Sequence, residues 1–215
     1  MRQDARRARV RIMKNTDPGQ RNIPPPEIVV VPGLPRSGTS MMMRMLAAGG
    51  MPLFTDGVRA ADADNPLGYF EHEAVKRLRE DASWVPGAAG KAVKVVSALL
   101  PALPEGFQYR VILMRRPLEE VLASQRRMLG RRGAPAADDG ARMAGLFRRH
   151  LEATERWLAA RQGVRALAVD YAEALAAPAD TARRVAAFLG GGLDAAAMAA
   201  AVDPALRRAN KEIIP

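Results

Sequence analysis

Five consecutive residues, Arg36, Ser37, Gly38, Thr39 and Ser40, follow an apolar run and a Pro/Gly-rich turn in the stretch VVVPGLPRSGTSMMMRML. Their types suit an anion. Gly33 and Gly38 permit a tight backbone path that turns several N–H groups toward one point. A helix starting near Thr39 aims its own unpaired N–H groups and the positive end of its dipole there. Ser37, Thr39 and Ser40 add hydroxyl donors and Arg36 a permanent charge, so the nest suits a phosphate. The triphosphate-hydrolase pattern G-x-x-x-x-G-K-[ST] is missing. The later apolar run VILMRR also ends in Arg115 and Arg116, where a Mg·ATP machine needs an acid to hold its metal. Those arginines open a second group. An Arg at a strand's carboxyl end and Ser124 in the helix after Pro117 supply a forked, charge-assisted contact and a hydroxyl to another phosphate.

For the two groups to meet, the elements between them must bring both to one rim. EIVVV, from Glu27, is a continuous β-branched run, the pattern of a strand buried on both faces. A helix is expected from about Thr39 to Ala48, stopping at Gly49 and Gly50. The segment MPLFTDGVRAADADNPLGYFE is dense in turn residues. A helix around Glu73–Asp81, the strand KAVKVV and the strand YRVILMRR come next. Pro117 then starts the helix LEEVLASQRRML, and a long amphipathic helix runs from about Asp138 to Arg161. VRALAVD is a fourth strand, followed by the helix PADTARRVAAFLG and an alanine-rich helical tail. Strands alternating with helices predict an α/β fold, a central parallel sheet covered on both faces. In such sheets ligands bind at the carboxyl ends of the strands, which is where the first loop falls. Residues 1–26 form a basic arm and Pro-rich linker, and residues 27–215 a single domain.

Composition narrows the chemistry. The chain has 215 residues, enough for one sizeable α/β domain. It has no cysteine, and its two histidines are His72 and His150, so disulfides and a structural zinc site are not expected. No apolar run nears the roughly 20 residues that span a bilayer, and the basic N-terminus lacks the apolar region of a secretory signal. A cytoplasmic protein is expected. The net charge of +10 is carried mainly by arginine, which suits forked contacts to phosphate-like groups. Aromatic residues are scarce and the arginines scattered, which argues against a nucleic-acid partner.

PGLPRSGTS resembles the 5′-phosphosulfate loop of sulfotransferases that use 3′-phosphoadenosine 5′-phosphosulfate (PAPS), bacterial and tyrosylprotein-type members above all. VILMRRPLEEVLASQ resembles the 3′-phosphate motif of the same family. The resemblance spans roughly residues 27–190 in order of elements, and these two blocks are its specific part. It implies a P-loop-like three-layer fold, PAPS as co-substrate without a metal, and a small-molecule or side-chain acceptor bearing a hydroxyl or amine. Arg36 then matches the loop cation beside the bridging oxygen. Arg116 matches the 3′-phosphate arginine if one counts back from Ser124; counting back from Pro117 favours Arg115, because the family usually has Arg-(Asp/Asn)-Pro. Lys94, in KAVKVVSALLP, falls on a lysine that clamps the sulfuryl oxygens. The histidine that is the general base of cytosolic members is Val96 here. The base is therefore placed at Glu71, in NPLGYFE, with a pKa raised beside Tyr69 and Phe70; His72 and Glu73 are fallbacks, and a helix-capping role competes. Tyr171, in VDYAE, is the adenine-side contact. Arg207 and Arg208 match a late basic motif. Trp84, Trp157, Phe147 and Met41–Met43 read as core, and Asp138-Asp139 as a helix start. Segments 51–70 and 130–145 are expected to frame the acceptor cleft. Rival readings are an ATP-dependent kinase with an altered loop, a nucleic-acid-binding module, and a relative that binds the bisphosphate product without catalysis.

Overall fold

The computed structural model describes residues 27–62, 65–131 and 140–203. Four strands, β1 (Ile28–Gly33), β2 (Ala92–Val96), β3 (Tyr109–Arg115) and β4 (Val164–Asp170), form one sheet in the order β2-β1-β3-β4. All three pairings are parallel, with Val30 opposite Val93 on one side and Val111 on the other. The alternation of side chains along β1 explains why its whole length is apolar. Val29 and Val31 enter one core with the methionines of α1 (Thr39–Ala48), Val185 of α6 (Pro178–Phe188) and Met198 of α7 (Ala195–Ala200). Ile28 and Val30 enter the other, with Val93, Val95, Leu100 and Leu158. Removing both faces from water is the main favourable term for such a strand, about 1.5–3 kcal/mol per fully buried valine. The result is the expected three-layer α/β architecture.

The Met41–Met43 run belongs to the core, since Met42 and Met43 are fully buried. Helix α1 ends where Gly49 and Gly50 donate their N–H groups back to Met45 and Ala47. Pro117 precedes α3 (Leu118–Arg131), and α4 (Gly140–Ala160) is the long amphipathic helix. The expected helix over Glu73–Asp81 is shorter: α2 spans Glu73–Lys76, and tight turns follow. Its two buried apolar residues, Val75 and Leu78, lie three apart, a spacing that i→i+3 turns satisfy as well as an α-helix does. Helix α5 (Tyr171–Ala176) has no counterpart among the expected elements; Asp170 caps it by accepting from the N–H groups of Ala172 and Glu173. Among the described residues no helix is long and apolar enough to cross a membrane. The basic arm 1–26, the pair Asp138-Asp139, and Arg207 and Arg208 lie outside the described residues.

Candidate active site

At the carboxyl end of β1 the chain turns through Leu34–Ser37, where the Ser37 N–H donates to the Leu34 carbonyl at 3.1 Å. Arg36 (φ 72°) and Gly38 (φ 104°) both occupy the left-handed region. For an arginine that conformation is uncommon and costs of order 1 kcal/mol, the kind of strain that clusters at functional sites. Gly38 caps α1 without any side-chain acceptor for the first-turn N–H groups, so those donors keep the anion-binding character of a helix N-terminus. Arg36, Thr39 and Ser40 line a cavity of about 490 Å³. The Ser37 hydroxyl does not line it. It is buried without a hydrogen-bond partner and faces Gly33, where a Cβ would come within 2.2 Å of it. The three loop hydroxyls therefore do not converge as expected; Ser37 turns beneath the loop.

The second group meets the first directly. Arg36 donates from Nε to the Ser124 hydroxyl at 2.9 Å, and Arg116 donates to the Arg36 carbonyl at 3.1 Å. Arg116 is also paired with Glu120, one turn along α3, at 3.0 Å, and its side chain is only 6% exposed. Its guanidinium lies 4.4 Å from the centre of the Tyr171 ring. Arg115 points elsewhere, to Glu155 of α4 at 2.6 Å on the exposed surface. Of the two arginines it is thus Arg116 that lines the cavity, with Ser124 and Tyr171. The Tyr171 ring backs the loop so closely that a Cβ at Gly38 would sit 2.5 Å from it. Arg44 and Asp203 extend this wall; the Arg44 Nε is held by the Ala201 carbonyl at 2.9 Å.

Between the loop and β2 lies a polar cluster built on Lys94. Its ammonium donates to the Tyr69 carbonyl (2.9 Å), the Ser40 hydroxyl (3.2 Å) and Glu71 Oε1 (3.2 Å). Asn65 donates to the same Ser40 hydroxyl at 3.0 Å. Arg59 contacts both Glu71 oxygens at 3.0 Å while stacking 3.3 Å from the Tyr69 ring centre. The expected raised pKa of Glu71 is corrected by these neighbours. Burial alone pushes the carboxyl up, but the Lys94 ammonium and the Arg59 guanidinium together outweigh it and hold the group below its ordinary value. Burial also lowers the pKa of Lys94; Glu71 opposes that shift, while the charges of Arg59 and Arg36 add to it. Glu71 does not cap α2 by its side chain. His72 does so, accepting from the Ala74 N–H at 3.2 Å, and Asp56 accepts from the Glu73 N–H at 2.6 Å. Phe70, just before Glu71, has φ 54°, so a second strained backbone position adjoins the cavity.

Arg59, Arg44 and Asp203 are among the cavity residues that sequence reasoning missed. Arg59 lies in an irregular segment with no periodicity to assign it a face. Arg44 does carry a signal: it sits four residues after Ser40 on α1, so the two share a helix face. Among the described residues no group of three or more His, Asp or Glu is placed to hold a metal ion.

No protein-family model matches the chain, and no curated protein does. Among solved structures, the sulfotransferase domain of the Synechococcus PCC 7002 olefin synthase matches with 18% identity and a TM-score of 0.54, over 89% of this chain and 90% of that one. The sulfotransferase domain from the curacin biosynthetic pathway matches with 14% identity and a TM-score of 0.52, over 89% and 93%. A sugar kinase from Janibacter sp. HTCC2649 also matches, with 17% identity and a TM-score of 0.44 over 85% and 98%, a level that says nothing of the reaction. The chain has the fold of the two sulfotransferase domains.

Proposed function

We propose that the protein is a PAPS-dependent sulfotransferase, moving a sulfuryl group to a hydroxyl or amine acceptor. One observation carries the reading: Arg36 of the first loop and Ser124 of the second group touch at a single cavity, with Arg116 donating to the Arg36 carbonyl. That donor set fits a ligand with two separate phosphate-like ends, and about 490 Å³ falls in the usual range for nucleotide-sized ligands. The α1 N-terminus, Thr39 and Ser40 would hold the 5′ end; Arg116 and Ser124 would hold the 3′-phosphate beside Tyr171. Arg115 and Arg116 stand where a metal-binding acid would be needed by the kinase alternative.

Sulfuryl transfer gains mainly from positioning and from fixed cations aimed at spreading negative charge. A new bond forms from sulfur to the acceptor's oxygen or nitrogen as the bond from sulfur to the bridging oxygen breaks. The electron pair of the broken bond stays with the 5′-phosphate of the adenosine bisphosphate, and the acceptor's proton goes to Glu71. Arg36 and Lys94 are the cations in reach of that charge. Glu71, ionised by its pairing with Lys94 and Arg59, is ready to accept a proton, and its lowered pKa makes it a mild base suited to an acceptor whose O–H is already being acidified by bonding to sulfur.

The test is a thermal-shift comparison of 3′,5′-adenosine bisphosphate with ATP plus Mg²⁺, since a ligand of the native state stabilises it by mass action. Stabilisation by the bisphosphate is expected, with turnover of labelled PAPS in the presence of an acceptor. Stabilisation by ATP with Mg²⁺ alone would reverse the assignment. Bisphosphate binding with no turnover against a broad acceptor library would leave a binding protein that has lost catalysis.

A further inference from the structure

One wall of the cavity is apolar, and the transfer chemistry does not use it. Side chains alternate along a strand, so Lys94 and Val96 of β2 point to the same side, and both line the cavity. Val96 is 50% exposed, although Ala92, Val93 and Val95 of the same strand are buried. It also opens the 3₁₀ turn Ser97–Ala102. Leu99 of that turn also lines the cavity. Val75 of α2, Met128 of α3 and Leu34 line the same cavity. Two cations of the lining are engaged by carboxylates: Lys76 by Glu73 at 2.5 Å and Arg59 by Glu71. Where the resemblance expects an imidazole, the chain thus offers a half-exposed hydrocarbon surface two residues beyond the reacting lysine.

We infer that the acceptor is a hydroxyl carried on an apolar body, an alkyl or aryl alcohol whose carbon skeleton lies against Val96, Leu99 and Val75 while its oxygen faces Glu71 and Lys94. The inference rests on the sulfotransferase reading and names its substrate class. An amine is the poorer acceptor here: protonated, it has no lone pair to attack sulfur, and Lys94 and Arg59, both already at Glu71, oppose a further cation there. A sugar or a charged peptide would set polar groups against the side chains of Val96, Leu99 and Val75, which have no hydrogen-bonding atoms to offer them, and that costs free energy.

The experiment measures turnover of PAPS with primary alcohols from ethanol to hexanol, alongside glucose and a tyrosine peptide, for the wild type and Val96→Asp. Position 96 is half-exposed, so the substitution is compatible with folding, and bisphosphate-induced stabilisation reports directly on the fold and the nucleotide site. The expected result is a rise in kcat/KM of roughly fourfold per methylene, the gain for burying each one, flattened in Val96→Asp while bisphosphate stabilisation persists. A response independent of chain length, or a higher kcat/KM for glucose or the peptide than for hexanol, overturns the inference and leaves sulfuryl transfer standing. Should the bisphosphate bind and no acceptor turn over, calorimetric binding of hexyl sulfate to the bisphosphate complex decides: at least tenfold tighter binding to the wild type than to Val96→Asp supports the apolar wall, and equal binding refutes it. Absence of bisphosphate binding overturns the transfer reading and this inference with it.

Discussion

Arg116 is where stability and ligand selectivity are most tightly joined, and Arg116→Ala separates them. The side chain is almost fully buried, bonded to the Arg36 carbonyl and to Glu120 and stacked on Tyr171. A hydrogen bond from a charged donor contributes about 1.5–3 kcal/mol and a cation–π contact about 0.5–2 kcal/mol. Glu120 is partly exposed, so its share is discounted for screening. A net loss of about 3 kcal/mol is expected, which for a domain of this size lowers Tm by about 6–12 °C. The ligand readout is sharper. If Arg116 grips the 3′-phosphate, wild type prefers 3′,5′-adenosine bisphosphate over 5′-AMP, and Arg116→Ala loses about 10- to 150-fold of that preference while its affinity for 5′-AMP barely changes. Arg116→Lys keeps the charge but not the fork and recovers only part of the preference. Calorimetric titration of both nucleotides into each variant gives the ratios. An Arg116→Ala protein that still distinguishes the two nucleotides as well as wild type does would refute the assignment of this residue, whatever its Tm.

Gly38→Ala places a Cβ 2.5 Å from the Tyr171 ring at φ 104°; bisphosphate binding should be lost and stability lowered by about 2 kcal/mol or more, measured by denaturant titration with and without ligand. Glu71→Gln should cut kcat at least 100-fold with bisphosphate affinity retained, and near-normal turnover would remove Glu71 from the reaction. Arg59→Gln takes away one of the two cations that depress the Glu71 pKa. A carboxyl with a depressed folded-state pKa contributes stability that is full above its ordinary value and lost as pH falls through the depressed one. In the variant the stability lost on acidification should be smaller and complete at higher pH, and the acid limb of kcat/KM should move to higher pH, followed by parallel pH profiles of Tm and turnover; unchanged profiles would show that Arg59 does not set the ionisation of Glu71.

How far the sequence reached follows from which signals are local. The strand Ile28–Val31 was legible because burial on both faces demands an unbroken apolar run, and α1 because glycines mark both of its ends. The convergence of Arg36 with Ser124 was legible too, since in a parallel sheet the loop after β1 and the helix after β3 both start from strand carboxyl ends on one rim. The choice between Arg115 and Arg116 was not, because one residue along a strand reverses the face and neighbouring motifs gave opposite counts. The charge state of Glu71 was out of reach for another reason: its partner Arg59 comes from an irregular stretch, where no period says which way a side chain points, and the aromatic neighbours suggested the opposite shift. The orientation of Ser37 depends on a turn whose left-handed residue is an arginine, a conformation that residue type does not advertise.

The link from Arg36 to Ser124 has a mechanical meaning as well. Helix α3 is not part of the sheet, and Val121 and Leu122 seat it in the protein interior, yet its Ser124 hydroxyl is fastened to the loop that leaves the first strand. If the nucleotide proposed above binds the loop, whatever steadies the loop steadies the helix in return, by the reciprocity that any coupled equilibrium obeys. On that reading, repacking beneath α3, at positions that never meet the ligand, is expected to change how tightly the nucleotide is held.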